Sequence, residues 1–309
     1  MTEGRMATRF KEEIRSVVFL SLALLVGVMA SANMGEYVKE GMLLAVSTVV
    51  PTSLPFMIMS DLYVCWGRPE NIGILRSMLT RSLGIGKYGI APLICGNIGG
   101  FPIGAKMCAE CYSRGMLTKE EAEWLMPLSN NPSPAFVVGG IGMGIYKSAT
   151  FGITMLLSIY SATILCGIIL GRNGRKTQLT ENNVNNSFDF VASVKNAGLS
   201  SISIISFISV FSAALGMMKR YVKYAPVTYV VSAFLEVTNA VKIYSSAGDL
   251  PREIGMILSA FALGFGGISV GLQSSVFASS SGLKMRKYYL VKLLEGVLCA
   301  SVFSILYMI

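Results

Sequence analysis

The chain has 309 residues, of which 53% are hydrophobic and 14% charged, with a mean hydropathy of +0.60 and a formal net charge of +9. That balance excludes an ordinary soluble domain and places the sequence among multi-spanning membrane proteins. Its Lys and Arg residues stand in short blocks at the ends of apolar runs, as topology signals do, which argues against nucleic acid as a partner.

Residues 1–15 are polar and carry Arg5, Arg9, Lys11 and Arg15, a cytoplasmic signature. Residues 16–35 are apolar and of spanning length. Residues 41–60 form a second uncharged run that Pro51 and Pro55 should kink, freeing backbone carbonyls, and Asp61 closes it at the interface. Residues 62–87 carry Arg68, Arg76, Arg81 and Lys87, which predicts the cytoplasmic side.

The stretch Cys95-Gly-Asn-Ile-Gly-Gly-Phe-Pro-Ile-Gly-Ala-Lys106 then breaks an apolar run. Gly96, Gly99, Gly100, Gly104 and Pro102 are too many for a quiet helix interior. Backbone groups freed at membrane depth need protein, water or a ligand to satisfy them. Pro102 is suited to the first turn of a second half-helix, whose amides would face an anion, with Lys106 one turn on. The four-residue spacing of Gly96, Gly100 and Gly104 equally suits close helix packing with no ligand. Asn97 and Lys106 favour a site, because polar and cationic groups at membrane depth mark function.

Thr118-Lys-Glu-Glu121 has the form of a capping box opening the next helix. That helix runs into a second break, Asn130-Asn-Pro-Ser-Pro134, again in uncharged surroundings. Gly139-Gly-Ile-Gly-Met-Gly144 follows as a small-residue seam, and residues 148–171 make a further span. Residues 172–189 form a polar connector between a first membrane half, 1–171, and a second, 190–309. In the second half, 196–218 is a span, and 224–241 is a span interrupted by Glu236, Thr238 and Asn239. On a helix, Asn239 shares a face with both Glu236 and Lys242. These charges should find partners in the first half: Lys106 or Asn131 for Glu236, and the carbonyls near Pro51 and Pro55 for Lys242 unless it snorkels to the interface. Residues 254–283 exceed one span, and their middle, with Gly266, Gly267, Ser269 and Gln273, predicts a bent helix or a half-membrane hairpin. Residues 288–309 are the last span.

The halves rhyme, Gly99-Gly100 ahead of Lys106 answering Gly266-Gly267 ahead of Gln273. The fold class expected is all-α: a polytopic membrane protein of eight or nine spans with paired broken helices, the sequence pointer to a transporter site between repeats. Histidine is absent and no nucleophile–base pattern or nucleotide-binding loop is evident, so neither an enzyme nor a cofactor is predicted. Cys108-x-x-Cys111 lacks the second pair or histidines that zinc prefers and reads as packed thiols.

Pro51-x-x-x-Pro-Phe56, Gly-Gly-Phe-Pro-Ile-Gly-Ala-Lys106, Leu-Thr-Lys-Glu-Glu-Ala-Glu123, Asn130-Asn-Pro-Ser-Pro134, Leu-Glu-Val-Thr-Asn239 and Gly-Gly-Ile-Ser-Val-Gly-Leu-Gln273 occur in that order. Together they resemble the YlbJ-like sporulation integral membrane proteins (stage V sporulation protein V) of the nucleoside-recognition or Gate-domain group. The resemblance covers about residues 35–305. It implies an inverted pair of Gate repeats in the cell membrane, and movement of dipicolinate out of the mother cell during sporulation. Gly271-Leu272 stand where that family leads one to expect a basic or aromatic residue.

A flat aromatic dianion fits the broken helices. Their N-termini with Lys106 would hold carboxylates, Asn97, Asn131 and Asn239 would hydrogen-bond them, and Phe101 or Phe136 would stack on the ring. Gly99, Gly100, Pro102, Asn130, Ser133, Glu236, Thr238, Gly266, Gly267, Ser269 and Gln273 complete the candidate set. Lys106, Lys195 and Lys242 favour an anion over a nucleoside. Ferrous iron would find only Cys95, Cys108 and Glu236 as ligands. A nucleoside or metal-ion transporter and a non-transporting assembly protein are the alternatives. The expected partners are a small anion and the lipid bilayer.

Overall fold

A computed structural model of the chain describes residues 34–66, 83–171 and 188–308. The polar start, most of the expected first span, most of the segment 62–87 and most of the connector 172–189 lie outside the described residues. Every regular element within them is a helix.

Among the described residues, five helices are long and apolar enough to cross a membrane: α1 (Met34–Leu62), α6 (Ala149–Leu170), α7 (Phe190–Tyr221), the Arg252–Ser280 stretch and α12, whose spanning part is Arg286–Tyr307. Many of their outward residues are large and apolar, as lipid demands. Ile153, Leu157, Ile164 and Ile168 of α6 are exposed, whereas Met155, Ser158, Ala162 and Cys166 on its other face are buried. α1 takes a π-helical turn at Ala45–Val49 and carries Pro55 within its helix. Such turns recur next to functional sites.

The other helices come in broken pairs. α2 (Ile90–Gly99) ends at Gly100, whose φ of +85° a side chain would strain, and α3 (Ile103–Ser113) restarts after Pro102. The two fold back on each other at Gly96 and Gly104, where a Cβ on Gly96 would come 2.6 Å from the Gly104 Cα. Both glycines also abut the Ser129 carbonyl. The four-residue spacing therefore does pack helices at its two ends, while its centre, Gly100, makes the break.

α4 (Lys119–Ser129) starts at Thr118, whose hydroxyl accepts from the Glu121 amide at 3.2 Å. The Glu121 carboxylate also accepts from the Gly86 amide. The chain is non-helical through residues 130–133 and resumes as α5 (Ala135–Ile145), a π-helix, with the Ser133 hydroxyl accepting from the Phe136 amide at 3.2 Å. α8 (Ala225–Leu235) and α9 (Val237–Ser246) are separated at Glu236, which is extended. α10 (Arg252–Phe265) and α11 (Gly267–Ser280) part at Gly266, which has left-handed φ. Residues 254–283 are thus a helix broken in its middle, the more enclosed of the long apolar stretches.

Among the described residues the order therefore runs twice as an unbroken helix, two broken helices and an unbroken helix: α1, α2/α3, α4/α5, α6, then α7, α8/α9, α10/α11, α12. In that order the Gly100 break stands opposite the Glu236 break, and residues 130–133 opposite Gly266. The sequence rhyme paired Gly100 with Gly266 instead, because a break made by Glu236 has no glycine or proline to announce it.

Candidate functional site

The four breaks touch in series. A Cβ on Gly100 would meet the Ser133 amide nitrogen at 2.8 Å, one on Gly266 the Phe101 ring at 3.3 Å, and one on Gly267 the Leu235 carbonyl oxygen at 3.0 Å. Where they meet they enclose a small cavity, with about 40 Å³ open to the centre of a water molecule. Gly99, Gly100 and Phe101 line it from the first break, Ser133 from the second, Glu236 and Thr238 from the third, and Val270 and Gln273 from beyond the fourth. Thr52 and Ser53 of α1 and Ile208 of α7 close it. This volume takes a few waters, and a planar dicarboxylate requires it to widen.

A larger outer cavity of about 540 Å³ adjoins it, sharing Phe136 and Thr238 as common wall. Asn239, Glu40 and Lys242 line this outer space. Thr238 and Asn239, one residue apart at the start of α9, thus face the two cavities in succession.

Glu236 is buried, and its carboxylate caps α9, accepting from the Thr238 amide at 3.0 Å and the Asn239 amide at 2.7 Å. A carboxylate at a helix N-terminus is favoured by the dipole and by the free amides there. These amides take the place of the expected partners Lys106 or Asn131. The break also moves Glu236 off the helical face it was expected to share with Asn239. Asn239 donates instead to the Ser212 hydroxyl at 2.7 Å, tying α9 to α7. Lys242 is exposed and lines the outer cavity with Ser47 and Thr48, so the snorkelling alternative describes it better than a bond to the Pro51 and Pro55 carbonyls.

Lys106 lies elsewhere. Its ammonium pairs with Asp61, donates to the Met57 carbonyl at 3.1 Å and stands 3.6 Å from Glu110. Asp61, expected at the interface, is buried and also accepts from Ser193 at 2.8 Å, so this cluster joins α1, α3 and α7. Lys106 is absent from the cavity lining, and Lys195 is exposed. The sequence placed Lys106 one turn into a half-helix but could not show that a carboxylate already waits there. Lys106→Ala is therefore expected to cost about 3 kcal/mol of stability by stranding the buried Asp61 carboxylate. Anion affinity of the protein that still folds should change less than twofold. A fall in affinity beyond tenfold with an unchanged melting temperature would return Lys106 to the site.

A buried cation stands behind Phe101 in the wall of the inner cavity: Lys292 of α12, which the sequence reading passed over inside its last apolar span. Its ammonium donates to Glu295 at 2.8 Å and to the Asn131 side-chain oxygen at 2.7 Å, and lies 5.9 Å from the centre of the Phe101 ring. Lys292 and Glu295 are both fully buried. The signal was there as Lys-x-x-Glu at helical i, i+3 spacing in a membrane segment. Asn131 also donates to Asn97 at 3.0 Å and to Thr163 at 3.0 Å, and Thr163 meets the other oxygen of Glu295. Asn97 and Asn131 thus belong to one buried network behind Phe101. Asn130 bonds to Ser274 and Tyr288, each at 2.8 Å. Pro102 caps α3, and buried Ser269 accepts from Gln273 at 3.3 Å.

Gly99, Gly100, Ser133, Glu236, Thr238 and Gln273 are thereby brought together around the inner cavity. Gly266 and Gly267 form its supporting turn, and Asn239 lies in the outer space. Asn97, Asn131, Asn130, Ser269 and Pro102 stand outside the lining, and Lys106 belongs to a separate cluster. Among the described residues no group of three His, Cys, Asp or Glu side chains is placed to hold a metal ion.

No family model matches the chain, and no solved structure matches it. A curated protein does: the sporulation integral membrane protein YlbJ of Bacillus subtilis (strain 168), 23% identical over 310 residues that cover 86% of this chain and 75% of that protein. The likeness runs along most of both chains, and the resemblance to YlbJ-like sporulation integral membrane proteins carried by the motifs stands.

Proposed function

We propose that this protein is a membrane transporter that binds a small organic anion where its broken helices meet, with dipicolinate, exported from the mother cell during sporulation, as the substrate. The observation that supports this most is the contact of four breaks, two from each half, around one cavity with an adjoining wider one. α3, α5, α9 and α11 all begin at those breaks, so their positive dipole ends gather at one place. Glu236 shows that one of these ends accepts a carboxylate. Thr52, Ser53, Ser133 and Gln273 add neutral polar groups, and Phe101 and Phe136 add aromatic faces for a flat ring. The twice-repeated helix order reads as two Gate-type repeats in inverted relation. Each broken pair then crosses the membrane, which gives eight passes among the described residues. The word sporulation in the similar protein's name fits the mother-cell export that the motif resemblance implies.

The test is binding and uptake with full-length protein, purified and reconstituted into liposomes. Saturable dipicolinate uptake is expected, with at least tenfold weaker competition by a nucleoside such as uridine. Uridine competing as well as dipicolinate would overturn the anion assignment. No saturable binding of either would favour an assembly protein.

A further inference from the structure

Lys292 and Glu295 have no part in lining the cavity, yet they are a complete ion pair with no exposure, placed one aromatic ring behind its wall. Hydrophobic packing would hold α12 at least as well as a buried ion pair, so stability does not account for it. Ionisable groups at membrane depth are characteristic of proton and ion pathways.

Thr163 supplies the second observation. Its single hydroxyl hydrogen has two acceptors within reach, the Ile159 carbonyl at 3.0 Å and the carboxylate of Glu295. When Glu295 is ionised, Thr163 donates to it. When Glu295 is protonated, the carboxylic acid donates to Thr163, whose own hydrogen turns to Ile159. Asn131 donates to Thr163 in both cases, because a hydroxyl oxygen offers two lone pairs. The shell around Glu295 therefore satisfies either protonation state without moving a helix.

We propose that Lys292 and Glu295 form a proton-coupling site: displacement of the Phe101 ring lets an anionic carboxylate in the cavity pair with Lys292, and Glu295, losing its partner, takes up one proton. This deepens the transporter reading above and rests on it. The charges balance. Empty, the site holds one ammonium and one carboxylate. Loaded, it holds the ammonium, one substrate carboxylate and a neutral carboxylic acid, so the pair itself carries no uncompensated charge, and the second carboxylate of a dianion such as dipicolinate would face the helix N-termini at the breaks. Substrate and proton would therefore bind and leave together.

The other titratable groups near the pair are Tyr288 and Cys299 on α12 and Cys166 on α6. Phenols and thiols ordinarily titrate above pH 8 or so. α4 and the chain after it present Asn130 and Asn131, and α10 presents its Gly264 backbone. Glu236, across the cavity, is the competing carboxylate.

The experiment is calorimetric titration of the full-length chain with dipicolinate at pH 6.5 and 7.5, each in two buffers of different ionisation enthalpy. Dipicolinate itself stays ionised there, as ordinary carboxylates do. Uptake of close to one proton per anion is expected, and binding about tenfold tighter at the lower pH. In Glu295→Gln both the proton uptake and the pH slope should vanish, whereas Glu236→Gln, which alters the cavity lining and so changes affinity, should keep the proton uptake per anion bound and the slope. Anion binding without proton uptake would overturn the coupling and leave the transporter reading standing. A slope that persists in Glu295→Gln, or disappears in Glu236→Gln, would also overturn it. Failure of dipicolinate, and of benzoate titrated in the same way as a simpler aromatic carboxylate, to bind would overturn both proposals. If Glu295→Gln does not fold, the wild-type proton count and the Glu236→Gln slope still decide.

Discussion

Lys292→Leu is expected to destabilise the protein by about 3–5 kcal/mol, because it leaves Glu295 ionised or uncompensated in a fully buried site. Glu295→Leu should cost a similar amount by stranding the ammonium. The double variant Lys292→Leu/Glu295→Leu should recover most of that loss, since two apolar side chains can replace a buried pair with little net penalty. Melting temperatures in detergent, read together with monodispersity, form a double-mutant cycle that isolates the pair. If either single variant melts like the wild type, the pair is not ionised as the hydrogen bonds imply. The double variant should fold but fail to concentrate dipicolinate, and that separates the functional role of these residues from their structural one.

The other large effect is steric. In Gly104→Ala the new methyl group would overlap the Ser129 carbonyl and come 2.8 Å from the Asn130 amide nitrogen. Both neighbours are backbone, at the exit of α4, and neither can swing aside as a side chain would. A loss of about 3 kcal/mol is expected, the upper end of overpacking penalties. Gly139→Ala is the matched control: that glycine also belongs to a small-residue seam, yet nothing lies within 4 Å of its Cβ position. It should change stability by less than about 0.5 kcal/mol. Folded yields that are equal for the two variants would show that α2, α3 and the end of α4 do not approach as closely as described.

The contrast between those two glycines marks where the sequence stops being informative. Spacing alone makes Gly104 and Gly139 look alike, and only the position of the Ser129 carbonyl separates them. Periodicity and composition did determine the membrane class, the broken helix at Gly100, the non-helical residues 130–133 and the interruption at Gly266. Glycine, proline and paired asparagines are local signals, and a helix in lipid cannot absorb them silently. The break at Glu236 carries no such signal. Glutamate is not a favoured cap, and its carboxylate acts as one here because the protein buries it beside two free amides.

Tertiary structure also decided which charges pair. The sequence offered Lys106 or Asn131 of the first half as partners for Glu236. Asp61 and the α9 amides are nearer, and electrostatic energy falls steeply enough with distance that the nearer partner wins. Lys292 and Glu295 were legible as Lys-x-x-Glu within the last span, but one helical pair in isolation can equally turn outward and snorkel. That it turns inward, behind Phe101 and against Asn131, follows from α12 packing between α6 and α10. Hydropathy therefore says how much of this chain belongs in lipid. Which polar groups it keeps from the lipid, and how they face one another, depends on contacts between residues as far apart in the sequence as Asn131 and Lys292.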